Sequence, residues 1–215
     1  MPEPENEQRQ ARRQTPTRRT LLVALAALPV MGLSPIRPLA AAQRRYVLDP
    51  DASSVGFRFT LGGVAQSGTM PVDRADIHVD PTNLAASRVD VTLGIGKART
   101  GMVMASQAMK GPTVLNTDSH PTARFVSTRI KLAPDGRLSG GATITGDLTL
   151  RGVTRPLTLN AGLFRPQGSQ PDDLSRLTVR LTGKLSRSAF GAAGFPDMVA
   201  DTVELDITAA IRAAN

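Results

Sequence analysis

The feature that most constrains the fold is an alternation of apolar and polar residues with a period of two. In the stretch VGFRFTL, Val55, Phe57, Phe59 and Leu61 fall on one face of a strand and Arg58 falls on the other. The same alternation recurs at Val89, Val91, Leu93 and Ile95, at Leu177, Val179, Leu181 and Leu185, and at Val203, Leu205, Ile207 and Ile211. Strands with one apolar and one polar face are typical of antiparallel sheets, because covered parallel strands read as continuous apolar runs.

Residues that favour turns separate these stretches at short intervals. They occur as GG at 62–63, PDG at 134–136, RGVTRP at 151–156 and GSQPDD at 168–173. The pattern predicts about eight strands, near 45–61, 64–71, 87–96, 122–133, 137–150, 156–166, 175–187 and 199–213. In the segment 101–115, Met102, Ala105 and Met109 follow helical spacing until Gly111-Pro112 ends it. One short helix inserted near 101–115 is therefore predicted.

Eight strands with one apolar face each must close into a barrel or pack as two sheets. An eight-stranded barrel has an interior that side chains fill, or that holds one small ligand. The chain has no Trp, one Tyr and six Phe, so a wide barrel would contain empty volume unless an apolar guest occupied it. We predict an all-β fold, an antiparallel eight-stranded barrel. A flattened sandwich of Val and Leu that packs dry is the alternative.

The first 42 residues read as an export signal, and residues 43–215 as a single domain. Arg18 and Arg19 precede an apolar run that is too short to span a bilayer as a helix, and Ala40 and Ala42 form a signal-peptidase site. Paired arginines at this place predict a twin-arginine signal, with the ordinary secretory route as the alternative. We therefore expect cleavage after Ala42 and a periplasmic or secreted protein with no stable membrane span in its mature form.

Charge and cysteine content narrow the possible partners. The signal holds six of the 26 basic and three of the 18 acidic residues, so the remaining chain carries a formal charge of +5. These charges are scattered without a basic run or interleaved aromatic residues, so we predict no nucleic-acid partner. The chain has no cysteine, which excludes disulfides and thiolate metal sites. The pattern does not indicate an oligomeric state.

The polar residues do not form a recognisable catalytic or metal site. His78 and His120 are far apart and have no further ligand at metal spacing, so no metal is predicted, and no cofactor motif is present. His120 is expected to be a solvated loop residue. Asp118, Ser119 and His120 are too close in sequence to form a catalytic triad. Asp73, Asp76 and Asp80 do not have the spacing of a calcium loop. We predict no catalytic residue and no enzyme activity.

Several segments together resemble the YceI-like family of exported polyisoprenoid-binding proteins. They are YVLDPDASSVGFRF near 46–59, HPTARFVST at 120–128, GDLTLRGVTRPLTL at 146–159, LSRSAFG at 185–191 and VADTVELDI at 199–207. The resemblance covers nearly all of residues 46–213, and the G-x-L-T-[LV]-[RK]-G-V-T-[RK]-P hairpin and the S-R-S-x-F-G segment are its most specific parts. It implies a lipocalin-type barrel whose apolar tunnel takes the chain of a long isoprenoid or similar lipid, in a periplasmic or secreted protein.

The chain departs from the family pattern at three places. Tyr46 stands where the family often has Trp, and Ala52 where its D-x-x-H-S segment has His, so a polar contact at the tunnel mouth is in doubt. The segment after the third strand carries Met102, Met104 and Met109. Methionine adapts to varied apolar shapes, so the guest can differ from the one that the family name implies.

The hairpin GDLTLRGVTRPLTL is expected to turn four leucines, Leu148, Leu150, Leu157 and Leu159, toward the interior. Gly152 permits its tight connection, and its arginines are expected to stay in water. The proposed walls of the apolar tunnel are Phe57, Phe59, Leu61, Met102, Met109, Val114, Leu115, Phe125, Leu148, Leu150 and Phe190. Segment 101–115 is either a lid facing the guest or a plug without ligand contact.

Two function classes remain open from the sequence. The first is a lipid-binding protein that holds a long apolar chain for sequestration, storage or transport. The second is a non-catalytic envelope interaction module that uses a polar outer face around a dry core.

Overall fold

The computed structural model describes residues 43–80, 83–134, 140–170 and 173–214, and strands dominate the described chain. The strands are β1 (Arg44–Leu48), β2 (Ser54–Leu61), β3 (Val64–Met70), β4 (Val72–Val79), β5 (Arg88–Leu93), β6 (Arg99–Thr100), β7 (Ala123–Leu132), β8 (Ala142–Leu150), β9 (Val153–Phe164), β10 (Arg176–Ser186) and β11 (Thr202–Ala213). Helix α1 spans Val103–Lys110, and short 3-10 turns occur at Leu84–Ala86, Ile95–Lys97 and Ser188–Phe190.

Eight of these strands form a closed antiparallel barrel. Its order is β1-β4-β5-β7-β8-β9-β10-β11, and β11 returns to β1 through the pairs Tyr46↔Ala213 and Leu48↔Ile211. The alternating apolar residues of each strand point inward, and the polar ones point out. The predicted fold, an eight-stranded antiparallel barrel with one short helix, is confirmed.

Strand β11 has two partners on the same edge. Residues 211–213 pair with β1, whereas Glu204–Thr208 pair with β2. Strand β3 continues from β2 through a tight turn at Gly62-Gly63, and β6 pairs with β3. We call β2, β3 and β6 the side sheet, because it extends the barrel wall beyond the closed ring.

The predicted strand 45–61 is two strands, β1 and β2, separated by a turn. Pro50 lacks a backbone N–H, and the Asp49 carboxylate accepts hydrogen bonds from the backbone N–H groups of Asp51 and Ala52, at 3.1 and 3.3 Å. An Asp that bonds the backbone two residues ahead replaces ladder bonds with a turn. The break lets the first half pair with the end of β11 and the second half with its beginning.

The predicted strand 64–71 corresponds to β3, which ends at Met70. A further strand that was not predicted, β4, follows directly after Pro71. Asp73, Asp76 and a bulge between Val72 and Arg74 obscure the alternation of β4 in the sequence. Its pairing with β1 and β5 is nevertheless what closes the barrel.

The hairpin between β8 and β9 turns through two residues, Arg151 and Gly152, both with positive φ (52° and 75°). The expectation that its arginines stay in water is wrong for Arg151, which is partly buried and donates from Nη2 to the Pro112 carbonyl oxygen at 2.8 Å. His120 lies in a loop, as expected, but it is only partly exposed to solvent. Its Cε1 lies 2.9 Å from the position that a Cβ on Gly152 would take.

Candidate apolar binding site

The barrel encloses an apolar cavity of about 270 Å³. Seven barrel strands, β4, β5 and β7–β11, contribute most of its lining, nearly all of it aliphatic. Phe125 is the one aromatic residue among the described residues that line it. An apolar cavity of about 150 Å³ in another protein stays dry and binds benzene. The cavity here is larger and has the same kind of wall.

The wall offers almost no polar chemistry. Among the described lining residues, Ser53, Ser87 and Thr208 are the ones with polar side chains, and none is charged. The Ser53 hydroxyl already accepts a hydrogen bond from the Ala210 N–H at 3.0 Å, and the Ser87 hydroxyl accepts one from the Asp80 N–H at 3.0 Å. The site therefore favours a guest with a large apolar part.

The cavity is elongated along the barrel. On β10 its wall extends from Leu177 to Leu185, which at about 3.3 Å per residue is roughly 26 Å along the strand. With strands tilted by about 40°, this corresponds to roughly 20 Å along the barrel axis. A narrow and long cavity suits a linear chain better than a compact ring system.

One end of the barrel is closed by packed apolar side chains. We call Ile95, Met109, Leu115 and Phe190, which belong to one apolar core cluster, the capping cluster. Ile95, Leu115 and Phe190 are buried, and none of the four lines the cavity. The residues come from α1, from the segments on either side of it and from the turn after β10, so the chain folds over this end of the barrel.

A buried arginine holds the loop between β10 and β11 over the same end. The Arg187 guanidinium donates to four backbone carbonyl oxygens at 2.6–3.1 Å, those of Ala192, Gly194, Val199 and Ala200. Its own backbone N–H donates to the Asp201 carbonyl oxygen at 2.9 Å. Hydrogen bonds to charged groups are among the stronger ones in proteins, so one side chain orders this loop.

The Asp201 carboxylate supports the loop as well. Its Oδ1 accepts a hydrogen bond from the Ser188 backbone N–H at 2.9 Å. Side-chain hydrogen bonds from Ser186 and Ser188 are the main reason that the pKa of Asp201 lies below its usual range, and the positive charge of Arg187 adds to this lowering.

The opposite end of the barrel is built around Tyr46. Its ring is buried, and its hydroxyl donates to the Leu174 carbonyl oxygen at 2.7 Å. Burial raises the pKa of this phenol above its ordinary value. The cavity wall reaches Leu84, Leu163 and Leu174 at this end. The cavity thus extends from the capping cluster to the loops beside Tyr46.

Three of the residues proposed from the sequence as tunnel walls line the cavity. They are Phe125 on β7 and Leu148 and Leu150 on β8. Leu157 and Leu159, which the hairpin pattern turned inward, line it too. These side chains share the apolar face of adjacent paired strands.

The proposed residues of β2 lie outside the cavity lining. The Phe57 and Phe59 rings stack at 6.1 Å between centroids. The Phe57 ring covers Gly68 and leaves no room for a Cβ at that position. Leu61 bridges to Val199 near the end of the side sheet. These residues lie in the side sheet because β2 pairs with the first half of β11.

The remaining proposed residues gather at the capped end. Met109, Val114, Leu115 and Phe190 pack in the apolar core cluster there, and none of them lines the cavity. Met102 precedes α1 and is exposed. That all of these residues contact a guest stays a prediction.

Several lining residues were not singled out by sequence reasoning. They are Met70, Val72, Ala75, Ile77 and Val79 from β3 and β4, and Leu84, Ile130, Leu132, Leu163 and Leu174 near the Tyr46 end. The weak alternation at Val72, Ile77 and Val79 was the available signal for β4.

In the parts of the chain that the structure describes, no group of three or more His, Asp or Glu side chains is placed to hold a metal ion. No helix among the described residues has the length and apolar character needed to cross a bilayer. The predicted export signal, with Arg18, Arg19, Ala40 and Ala42, lies outside the described residues.

Solved structures with the same architecture exist. BcnA of Burkholderia cenocepacia superimposes with a TM-score of 0.65 and 21% identity, covering 76% of this chain and 99% of that protein. A polyisoprenoid binding domain from Saccharophagus degradans, implicated in plant cell wall breakdown, superimposes with a TM-score of 0.55 and 15% identity, covering 80% and 99%. At these identities the likeness shows a shared fold.

Relatives at the sequence level are similar over most of their length. A UPF0312 protein of Ectopseudomonas mendocina is 32% identical over 185 residues, which are 85% of this chain and 93% of the relative. Protein YceI of Escherichia coli O17:K52:H18 is 30% identical over 154 residues, 70% of this chain and 78% of the relative. The YceI-like domain model matches residues 46–211. The chain therefore belongs to the YceI-like family.

Proposed function

We propose that this protein is an exported lipid-binding protein that holds a long apolar chain, an isoprenoid or a similar lipid, in the barrel interior. Sequestration, storage or transport of that chain is its proposed role, and the periplasm or the extracellular space is its proposed location. The observation that carries the proposal is the elongated cavity of about 270 Å³ whose wall has no charged side chain.

The family supports the same proposal. The Saccharophagus degradans neighbour with this fold is a polyisoprenoid binding domain. The export signal read in residues 1–42 supports the proposed location. We further propose that the protein does no chemistry on its guest, since the wall presents hydroxyl groups from three residues and no acid or base.

The energy available to such a site comes from burial. Each buried CH₂ contributes about 0.8 kcal/mol, so ten methylenes contribute roughly 8 kcal/mol, against at least about 4 kcal/mol for immobilising the guest. The difference of about 4 kcal/mol corresponds to millimolar affinity. Two further methylenes add about 1.6 kcal/mol, or roughly 15-fold in affinity. A useful guest is therefore a long chain.

The test is a series of prenyl and straight-chain alcohols of increasing length, titrated against the purified protein by displacement of a fluorescent fatty probe. Affinity is expected to rise steeply with chain length and to level off when the cavity is full. Changes of the head group should matter less. Affinity that follows the head group and ignores chain length would overturn the proposal in favour of an interaction module that uses the outer face.

A matched pair of variants places the site. Leu150→Glu puts a carboxylate on the cavity wall, whereas Thr158→Glu puts one on the exposed face of the neighbouring strand. The first is expected to weaken every alcohol and the second none. Leu150→Phe, which keeps the wall apolar and fills part of the cavity, is expected to shorten the chain length at which affinity levels off. This variant keeps the test valid if Leu150→Glu does not fold.

A further inference from the structure

The surface of the capped end is apolar, although it faces water. Six of the large apolar residues exposed in the described chain lie at the tip of the side sheet, at the start of α1 and in the loop that Arg187 holds. These six, which we call the apolar tip, are Val64, Met102, Val103, Met104, Phe195 and Met198. Single exposed apolar residues are ordinary on protein surfaces, but a cluster indicates a contact surface.

Backbone hydrogen bonds join the three segments that carry the apolar tip. The Gly62 N–H in the side-sheet turn donates to the Met198 carbonyl oxygen at 2.7 Å. The Gly101 N–H, directly before α1, donates to the Ser67 carbonyl oxygen of β3 at 3.4 Å. The side sheet therefore contacts both the loop after β10 and the start of α1.

The exposed face of helix α1 is also apolar and uncharged. That face consists of Val103, Met104, Gln107 and Ala108, and it contains no charged side chain. Val103 and Met104 are 77% and 79% exposed. The outer face of a surface helix in a soluble protein is normally charged or polar, so this helix places its apolar residues on the side facing away from the barrel.

Basic residues lie in the segments that adjoin this surface. Arg99 precedes α1 and Lys110 ends it, and Arg151 and Arg155 lie on the adjacent β8–β9 hairpin. Within the described chain none of these four has a carboxylate within 4.0 Å. The acidic residues of the same end are Asp118 in the loop after α1, Asp197 between Phe195 and Met198, and Asp201, whose carboxylate accepts a hydrogen bond from the Ser188 N–H. Basic side chains beside an apolar surface complement a bilayer, because the basic groups attract anionic head groups and the apolar groups enter the acyl region. Each Lys or Arg near an anionic membrane surface favours binding.

We propose that the apolar tip docks on the surface of an anionic lipid bilayer, with Val103 and Met104 entering the acyl region and Arg99 and Lys110 contacting lipid phosphates. This goes beyond holding a guest, because it assigns the protein a membrane partner and an orientation. The capped end faces the bilayer, and the Tyr46 end faces away from it. A lipid-binding barrel docked in this way stays next to the source or the destination of its guest.

The test uses sedimentation of the purified protein with vesicles of phosphatidylcholine that contain about 30% phosphatidylglycerol, and with vesicles of phosphatidylcholine alone. The protein is expected to bind the anionic vesicles and to lose binding as salt is raised. The double variant Val103→Glu/Met104→Glu is expected to reduce binding at least about tenfold, because it replaces two apolar side chains that become buried. Arg99→Gln/Lys110→Gln is expected to lower binding to the vesicles that contain phosphatidylglycerol and to leave any binding to pure phosphatidylcholine vesicles unchanged.

Two exposed apolar residues outside the apolar tip provide the matched controls. Val47→Glu on β1 and Phe164→Glu at the end of β9 each add one negative charge elsewhere, and combined they add the same two charges as the double variant. The two single variants and their combination are expected to leave vesicle binding unchanged. No binding to either vesicle, or equal losses for Phe164→Glu and the double variant, would overturn the proposal. Self-association that Val103→Glu/Met104→Glu abolishes, without vesicle binding, would assign the surface to a second copy of the chain.

The double variant also separates this inference from the proposed function. Binding of soluble prenyl alcohols is expected to stay unchanged in Val103→Glu/Met104→Glu, because neither residue lines the cavity. In the unmodified protein, salt-sensitive binding to anionic vesicles without any binding of the alcohols would count against the lipid-binding proposal and leave the docking surface in place.

Discussion

The barrel interior and the capped end are both rich in apolar side chains, but they are stabilised in different ways. Inside the barrel, aliphatic residues on alternating positions of hydrogen-bonded strands pack against one another and still leave about 270 Å³ of space. At the capped end, the capping cluster is packed closely, and Arg187 fixes the covering loop with four hydrogen bonds. The cavity wall leaves space for a guest, whereas the capped end is held by close side-chain packing and by specific hydrogen bonds.

The largest effect is expected from the capped end. Arg187→Ala leaves four carbonyl oxygens without their donor in a buried place, and bonds to charged groups contribute about 1.5–3 kcal/mol each. Because the loop can partly relax into water, we expect a loss of about 4 kcal/mol in the free energy of unfolding. Denaturant unfolding measures it, with exposed Arg155→Ala as the control. A loss below about 1 kcal/mol would show that packing alone holds the cap.

A matched pair of phenylalanines sharpens the comparison. Phe190 in the capping cluster is 3% exposed, and Phe125 on the cavity wall is 9% exposed. Phe→Ala in a packed core costs about 3–5 kcal/mol, and we expect roughly 4 kcal/mol for Phe190→Ala. Phe125→Ala is expected to cost about 2 kcal/mol, because one side of the ring already faces unfilled space.

The same pair differs in its effect on the guest. Phe125→Ala enlarges the cavity and is expected to move the plateau of the alcohol series to longer or bulkier chains. Phe190→Ala is expected to leave that plateau unchanged. Equal unfolding losses with equal shifts of the plateau would contradict the distinction between wall and cap.

The smallest effect is expected on the outer face of the barrel, away from both regions. A side-chain hydrogen bond from Arg124, whose Nε lies 2.9 Å from Oδ1, holds the pKa of Asp90 below its usual range. A lowered folded-state pKa contributes stability that is present above the unfolded pKa of about 3.9 and is lost as pH falls through the lower folded value. The stability difference between the protein and Asp90→Asn is therefore expected to shrink below about pH 4. Both side chains are partly exposed, so the effect is small. A difference that stays constant between pH 7 and pH 3 would contradict this assignment.

Much of the fold could be predicted from the sequence because strand alternation is a local signal. The inward positions of Leu148 and Leu150 followed from it directly, and the helix followed from the helical spacing of Met102, Ala105 and Met109 where alternation stops. The breaks at Pro50 and Pro71 were less visible, because a Pro and an Asp can end a strand or bend it. The strand after Pro71 was missed because Asp73 and Asp76 within it, and Asp80 directly after it, masked the alternation of Ile77 and Val79.

The candidate site was predictable in kind and less so in detail. Aromatic residues are the largest apolar groups, so Phe57 and Phe59 appeared as good wall candidates, yet the structure places them in the side sheet. Their position depends on which half of β11 pairs with β2, a long-range choice that alternation does not encode. The role of Arg187 depends in the same way on carbonyl groups that the folded loop brings to it.

The central claim is that the barrel interior holds a long apolar guest, and extraction of the purified, folded protein with organic solvent followed by mass spectrometry tests it most directly. The account predicts about one long-chain apolar molecule per protein molecule in the extract. If the protein is purified without a bound lipid, it is expected to take up an added long prenyl alcohol to the same ratio. A clean extract from folded protein that also takes up none of the added alcohol would contradict it.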